Sequence, residues 1–315
     1  MIVDRTHIAW GLATAAATAG VTLVYLANND PDTLQEWHLA FALPGWMGPV
    51  PPLRSNVGAT PLGLIYGTGA LLIFIFAALL GWRRNHPGWR VGRIQFWLKA
   101  HIWLTIFTLP LVAYHCGFHG GGTMTQFLLW LYAFVMASGF WGLALQQVIP
   151  RLMHFYLPEE TIFEQIPYMR EQLGLGAEAI REEFANQPDV ALSRIEHAAN
   201  TTAVLGHEAA MVSLCLAFID QETLPYLRAT KTRKLALRDK QTSDDRFRLL
   251  KLQITSHEQS ALARLQALCD EKRQLDLQAR FHYWLHGWLV VHAPASILLI
   301  VVTLVHAVVA MYLYA

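Results

Sequence analysis

Long apolar runs broken by short polar segments occupy the first 150 residues. A charged stretch follows, and a last apolar run occupies the final thirty or so residues. A membrane-spanning helix needs about 20 mostly apolar residues. Five runs meet that length, at about 8–27, 58–82, 96–118, 124–149 and 284–314. The first could also serve as a cleaved signal peptide, but its basic start is weak and its cleavage signal poor, so a retained span is expected. The pattern predicts an all-α integral membrane protein with five transmembrane helices and a helical cytoplasmic insertion. Its expected divisions are a membrane domain over 1–150, the insertion over 151–280, and the last transmembrane helix over 281–315.

Between the first two spans, residues 37–47 are apolar but too short to cross, and Pro44, Pro49, Pro51 and Pro52 stop regular structure after them. This predicts an interfacial or re-entrant helix. In the insertion, residues 178–184 and 190–224 contain no internal proline. Further on, Phe247, Leu250, Ile254, Ala261, Leu265, Leu268 and Leu275 recur at helical steps. No Pro or Gly separates that stretch from the start of the fifth span. One long helix from about 244 into the membrane is expected.

Charge sharpens this division. Residues 151–280 hold 17 of the 24 Lys and Arg and 19 of the 23 Asp and Glu. The net charge of +1 excludes a strongly cationic nucleic-acid binder. Cys116, Cys215 and Cys269 are too few and too scattered for a disulfide framework or a four-cysteine iron–sulfur cluster. No CxxCH is present for covalent haem attachment.

Orientation follows from basic residues. Arg83, Arg84, Arg90 and Arg93 crowd the loop between the second and third spans, with Lys99 just inside the third. The preceding loop carries Asp30, Asp32 and Glu36 against a single Arg54. The amino terminus and residues 151–280 are therefore expected in the cytoplasm and the carboxyl terminus outside, in a bacterial inner membrane. Trp37, Trp46, Trp82, Trp89, Trp97 and Trp284 fall near the proposed interfaces. The run from Lys231 to Lys240 holds five basic residues, as a solvated loop or a lipid-headgroup contact would.

Histidine is costly inside a bilayer, so each intramembrane one is a functional candidate. The third span holds His101 and His115, and the fifth holds His292 and His306; both pairs are 14 residues apart. Fourteen residues make about 3.9 helical turns and rise about 21 Å, so each pair lies on one helix face. The third and fifth spans run in the same direction. His101 and His292 then share the cytoplasmic level, and His115 and His306 the outer one. That geometry suits two stacked haems, each held by one histidine from each helix. Gly63 and Gly67 in the second span, and Gly139 and Gly142 in the fourth, suit either a porphyrin edge or small-residue helix packing.

The doubled arrangement resembles the two-haem transmembrane cytochrome b of quinol-oxidising respiratory and photosynthetic complexes. The segment from His115 through Cys116 and His119 to the triple glycine Gly120–Gly122 is similar to bacterial membrane cytochrome b subunits that work beside peripheral redox proteins. The resemblance maps a four-helix haem-binding core onto the second to fifth spans. It implies two b-type haems, with His101, His115, His292 and His306 as axial ligands of the iron. The long insertion is foreign to the best-known members, and no Pro-Glu-Trp-Tyr quinol motif occurs here.

Arg93 and Lys99 are placed to meet propionates of the cytoplasmic haem, or else lipid headgroups. His119, one turn past His115, is a candidate for a propionate or quinone contact, with a simple turn as the alternative. His282 and His286 share a face before the fifth span and are candidates for a second metal site or a proton path. The leading expectation is a dihaem electron-transfer subunit of a quinone-linked oxidoreductase complex. It would join the quinone pool to a peripheral partner, such as a multihaem cytochrome c or an iron–sulfur subunit. The alternatives are a non-redox scaffold or receptor with structural histidines, and a transmembrane metal reductase.

Overall fold

The computed structural model describes residues 5–29, 32, 57–86, 92–156, 162–186, 202–230, 232, 234–254 and 256–314. The expected helix at 37–47, the residues Arg54 and Arg90, and the tryptophans Trp37, Trp46 and Trp89 lie outside them. All regular structure among the described residues is helical. In chain order the α-helices are α1 (Arg5–Asn29), α2 (Pro61–Asn85), α3 (Ile94–Cys116), α4 (Thr123–Tyr156), α5 (Ile166–Ala185), α6 (Thr202–Phe218), α7 (Leu224–Arg228), α8 (Lys240–Lys251) and α9 (Ser256–Tyr314). A π-helical turn, Ile219–Thr223, joins α6 to α7. Helices α1 to α4 and α9 are each long and apolar enough to cross a membrane.

The chain divides into two compact units, residues 1–147 with 286–315, and residues 148–285. In the first, local chemistry sets the helix ends. Thr60 caps α2, its hydroxyl accepting from the Gly63 N–H at 3.1 Å, and Pro61 occupies the first helical position. Helix α3 stops at Gly117, whose φ of 57° is left-handed. Phe118 follows with a φ of 60°, and its N–H closes on the Ala113 carbonyl at 3.1 Å.

Both α1 and α2 pack closely along α3. Leu62, Tyr66, Ala70 and Phe74 recur every four residues on α2 and form one buried stripe. Leu111 of α3, Tyr132 and Val135 of α4, and Leu299 of α9 complete this core. Helix α1 is pinned near its end by polar contacts. Tyr66 donates to the Val21 carbonyl at 3.2 Å, and the Thr22 and Tyr114 hydroxyls meet at 2.8 Å. Tyr25 stacks on Tyr114 with centroids 4.3 Å apart. The opposite faces expose large apolar side chains, among them Trp130, Phe134, Val290, Val301 and Val308. Such faces call for lipid rather than water.

The second unit has its own core. Phe184 of α5, Cys215 of α6, Tyr226 of α7, Phe247 of α8, and Leu265 and Cys269 of α9 are all nearly or fully buried. Lys272 is fully buried too. Its ammonium donates to Asp276 at 2.6 Å, and the same carboxylate oxygen accepts from Arg170 at 2.6 Å. Ion pairs such as Arg181–Asp220 at 2.6 Å lie on the surface.

One expectation is corrected here. The stretch 244–280 is not a single helix: α8 ends at Lys251 and α9 begins at Ser256. Residues 252–254 form a turn without glycine or proline. The Leu252 N–H bonds Arg248 at 3.1 Å and the Gln253 N–H bonds Leu250 at 2.9 Å. Gln259 donates to the Lys251 carbonyl at 3.2 Å, satisfying a helix-end acceptor. Gln266 of α9 then accepts from Lys251 at 2.7 Å and donates to Asp244 at 2.9 Å. The amphipathic pattern is thus shared by two helices folded back on one another, Phe247 facing the same core as Leu262 and Leu265. From Ser256 onward α9 continues without interruption to Tyr314, as the sequence predicts for the approach to the last span.

Candidate functional site

The histidines of α3 and α9 are half-buried in the first unit. His115 and His306 come together, with ring centroids 6.2 Å apart and planes at 84°. His115 Nδ1 lies 2.8 Å from the Gly63 carbonyl of α2. A carbonyl only accepts, so Nδ1 carries the proton and Nε2 keeps a free lone pair. Gly67, one turn on, is needed for this approach. A Cβ there would stand 2.8 Å from His115 Nδ1 and Cε1.

His292 is held in the same way by a different element. Its Nδ1 lies 2.7 Å from Ser138 Oγ on α4, and Ser138 gives its own proton to the Val135 carbonyl at 2.8 Å. The hydroxyl oxygen therefore accepts from His292 Nδ1–H, which again leaves Nε2 free. Trp288, one turn earlier, stacks on the His292 ring at 5.1 Å and donates its indole N–H to the Ser138 carbonyl at 2.6 Å. Gly142 makes room for the Trp288 ring, whereas Gly139 lies at ordinary contact distance from His292. A Cβ at Gly142 would fall 2.0 Å from the Trp288 ring, and one at Gly139 3.6 Å from His292.

The His101 ring sits beside the Ala77 carbonyl of α2, and its Nδ1 is buried without a hydrogen-bond partner. His115 and His306 are thus in direct ring contact, while His101 and His292 lie farther along α3 and α9. Among the described residues no three His, Cys, Asp or Glu side chains converge as a chelating cluster.

The spacing of His115 and His306 is compatible with a two-ligand metal centre between them. Two imidazoles that meet one ion end-on at about 2 Å place their centroids roughly 6.3 Å apart, close to the spacing of His115 and His306. Helices α4 and α9 approach α2 and α3 through side chains rather than along closely packed backbones. A buried imidazole nitrogen without a partner, as at His101, is costly unless something engages it.

The remaining sequence candidates are placed elsewhere. Arg93 precedes α3 and is exposed. Lys99 reaches Thr6 of α1. His119 turns back on its own loop, its Nδ1 donating to the Gly117 carbonyl at 2.5 Å. His282 lies in the second unit with its ring 4.8 Å from Phe163. Sequence reasoning did not single out Ser138 or Trp288. The available signal was a hydroxyl in an otherwise apolar span, next to Gly139, and a tryptophan one turn before a span histidine.

No protein-family model, curated protein or solved structure matches the chain.

Proposed function

We propose that the protein is a dihaem membrane cytochrome b. His101 and His292 would hold one iron and His115 and His306 the other, and the chain would carry electrons across the bilayer between the quinone pool and a peripheral redox partner. The observation that carries this reading is the His115–His306 pair. Its members stand at 6.2 Å, and the Gly63 carbonyl fixes the His115 tautomer so that Nε2 is the ligating atom. Ser138 does the same for His292 at the other level. A carbonyl or hydroxyl bonded to the far nitrogen of an imidazole orients the ring and raises its basicity.

Bound at these two levels, haem iron would supply reversible one-electron chemistry. The chain's own part is structural and electrostatic. Four imidazoles would hold the macrocycles, Gly67 lets α2 lie close to the His115 ring, and apolar side chains such as Phe74, Leu111 and Leu299 exclude water. The basic loop at Arg83 and Arg93 orients the amino terminus and residues 151–280 towards the cytoplasm. That second unit is the natural docking element for a soluble partner on that side.

Leucine variants of each histidine test the pairing. H115L and H306L should each lose the same single haem by low-temperature α-band spectroscopy, while H101L and H292L lose the other. Loss of different haems within a pair would contradict the assignment.

A further inference from the structure

A polar site separate from the four histidines lies between α1 and α3. His7, in the first turn of α1, is only 7% exposed. The Trp103 indole N–H of α3 lies 3.1 Å from His7 Nδ1. An indole nitrogen can only donate, so Nδ1 accepts and the neutral ring carries its proton on Nε2. That Nε2 is buried and has no hydrogen-bond partner among the described residues.

The surroundings keep this donor in place. Gly11, one turn along α1, would bring a Cβ to 2.9 Å from the Trp103 ring, so glycine lets the indole lie against the helix. Lys99, one turn before Trp103, bonds the Thr6 hydroxyl next to His7 and ties the same ends of α1 and α3 together. Trp10 packs on Phe96 at 5.5 Å and adds apolar surface there. Lys99 and Trp103 each lie two residues from His101, which puts them on the opposite face of α3. His7 therefore sits about one helix diameter, roughly 10 Å, across α3 from His101.

We propose that a quinone headgroup binds at His7, where the ends of α1 and α3 meet, one carbonyl oxygen accepting from His7 Nε2–H. This rests on the dihaem reading for its electron acceptor, but not for the binding itself. A quinone carbonyl oxygen matches this single neutral donor, and the Trp10, Phe96 and Trp103 rings nearby suit a flat ring. The site lies in the apolar part of the chain, where a lipid-soluble ring arrives from the bilayer.

The test uses the full-length protein in phosphatidylcholine nanodiscs depleted of native quinone, titrated with decyl-ubiquinone. Binding is followed at equilibrium and by the infrared carbonyl stretch of the bound quinone, with haem content measured in parallel. H7L should bind about tenfold more weakly, the effect of losing one buried hydrogen bond, and should lose the down-shifted carbonyl band. H7Q, which keeps an N–H near the same position, should retain most of the affinity. If H7L does not accumulate, W103F decides. It leaves His7 in place but releases the proton from Nε2, and binding should weaken by about threefold. Wild-type affinity and an unshifted band in H7L, or in W103F when that variant decides, would overturn the proposal. So would displacement of the quinone from wild type by excess phosphatidylglycerol, which would identify a lipid headgroup as the occupant. A wild-type protein without haem that still binds quinone through His7 would sink the dihaem reading and leave this site standing.

Discussion

Ser138 on α4 and the Gly63 carbonyl on α2 do the same work for two different histidines: each accepts from Nδ1 and leaves Nε2 for a ligand. Only one of them can be removed by mutation. S138A leaves His292 without its acceptor while keeping the ring stacked on Trp288. Loss of such an outer partner typically weakens metal binding by about 10- to 100-fold. The expected result is a shifted midpoint potential or partial loss of the haem held by His292, with the other haem unchanged in a redox titration. Equal effects on both haems would show that Ser138 does not act through His292. The two 14-residue spacings were legible in the sequence because side-chain identity and helix pitch are enough to reveal them. The Gly63 acceptor was not, since a backbone carbonyl has no residue signature. Arg93 is exposed, Lys99 meets Thr6 and His119 meets the Gly117 carbonyl, neighbours that position along the chain does not reveal.

At the scale of elements, the spans were readable because a bilayer demands long uniform apolar helices. The fold-back of α8 on α9 was not, because residues 252–254 turn without a breaker and the apolar period continues on either side. Its energetics can be checked at two positions. Phe247 is fully buried and Leu252 is 77% exposed. F247A should destabilise the second unit by about 3–5 kcal/mol. L252A should lie within about 0.5 kcal/mol of wild type in chemical denaturation. Similar costs for both would contradict the turn.

The start of α8 also carries a pH signature. The Thr242 backbone N–H and hydroxyl both donate to Asp239 and hold its carboxyl below the usual carboxylate range. Hydrogen bonds from Arg181 do the same for Asp220. A depressed folded value means the stabilisation is present above the unfolded value of about 4 and is lost as pH falls through the lower folded value. Thermal melts followed by circular dichroism should show a midpoint that drops below about pH 4. D239N should flatten that dependence, and an unchanged profile would rule out the cap as a contributor.

At the scale of the whole molecule, the uneven charge and the two compact units describe one division of labour. The unit of residues 1–147 and 286–315 contains the paired histidines, and the unit of residues 148–285 contains most of the charge. A 59-residue helix, α9, belongs to both. The dihaem account makes one demand that neither a receptor with structural histidines nor a single-metal site shares. The purified chain must carry two protohaems. A pyridine haemochrome assay against protein concentration, with a reduced-minus-oxidised spectrum of the same sample, measures this directly. The account predicts about two b-type haems per chain; a folded, monodisperse protein with none, under haem-replete expression, would contradict it.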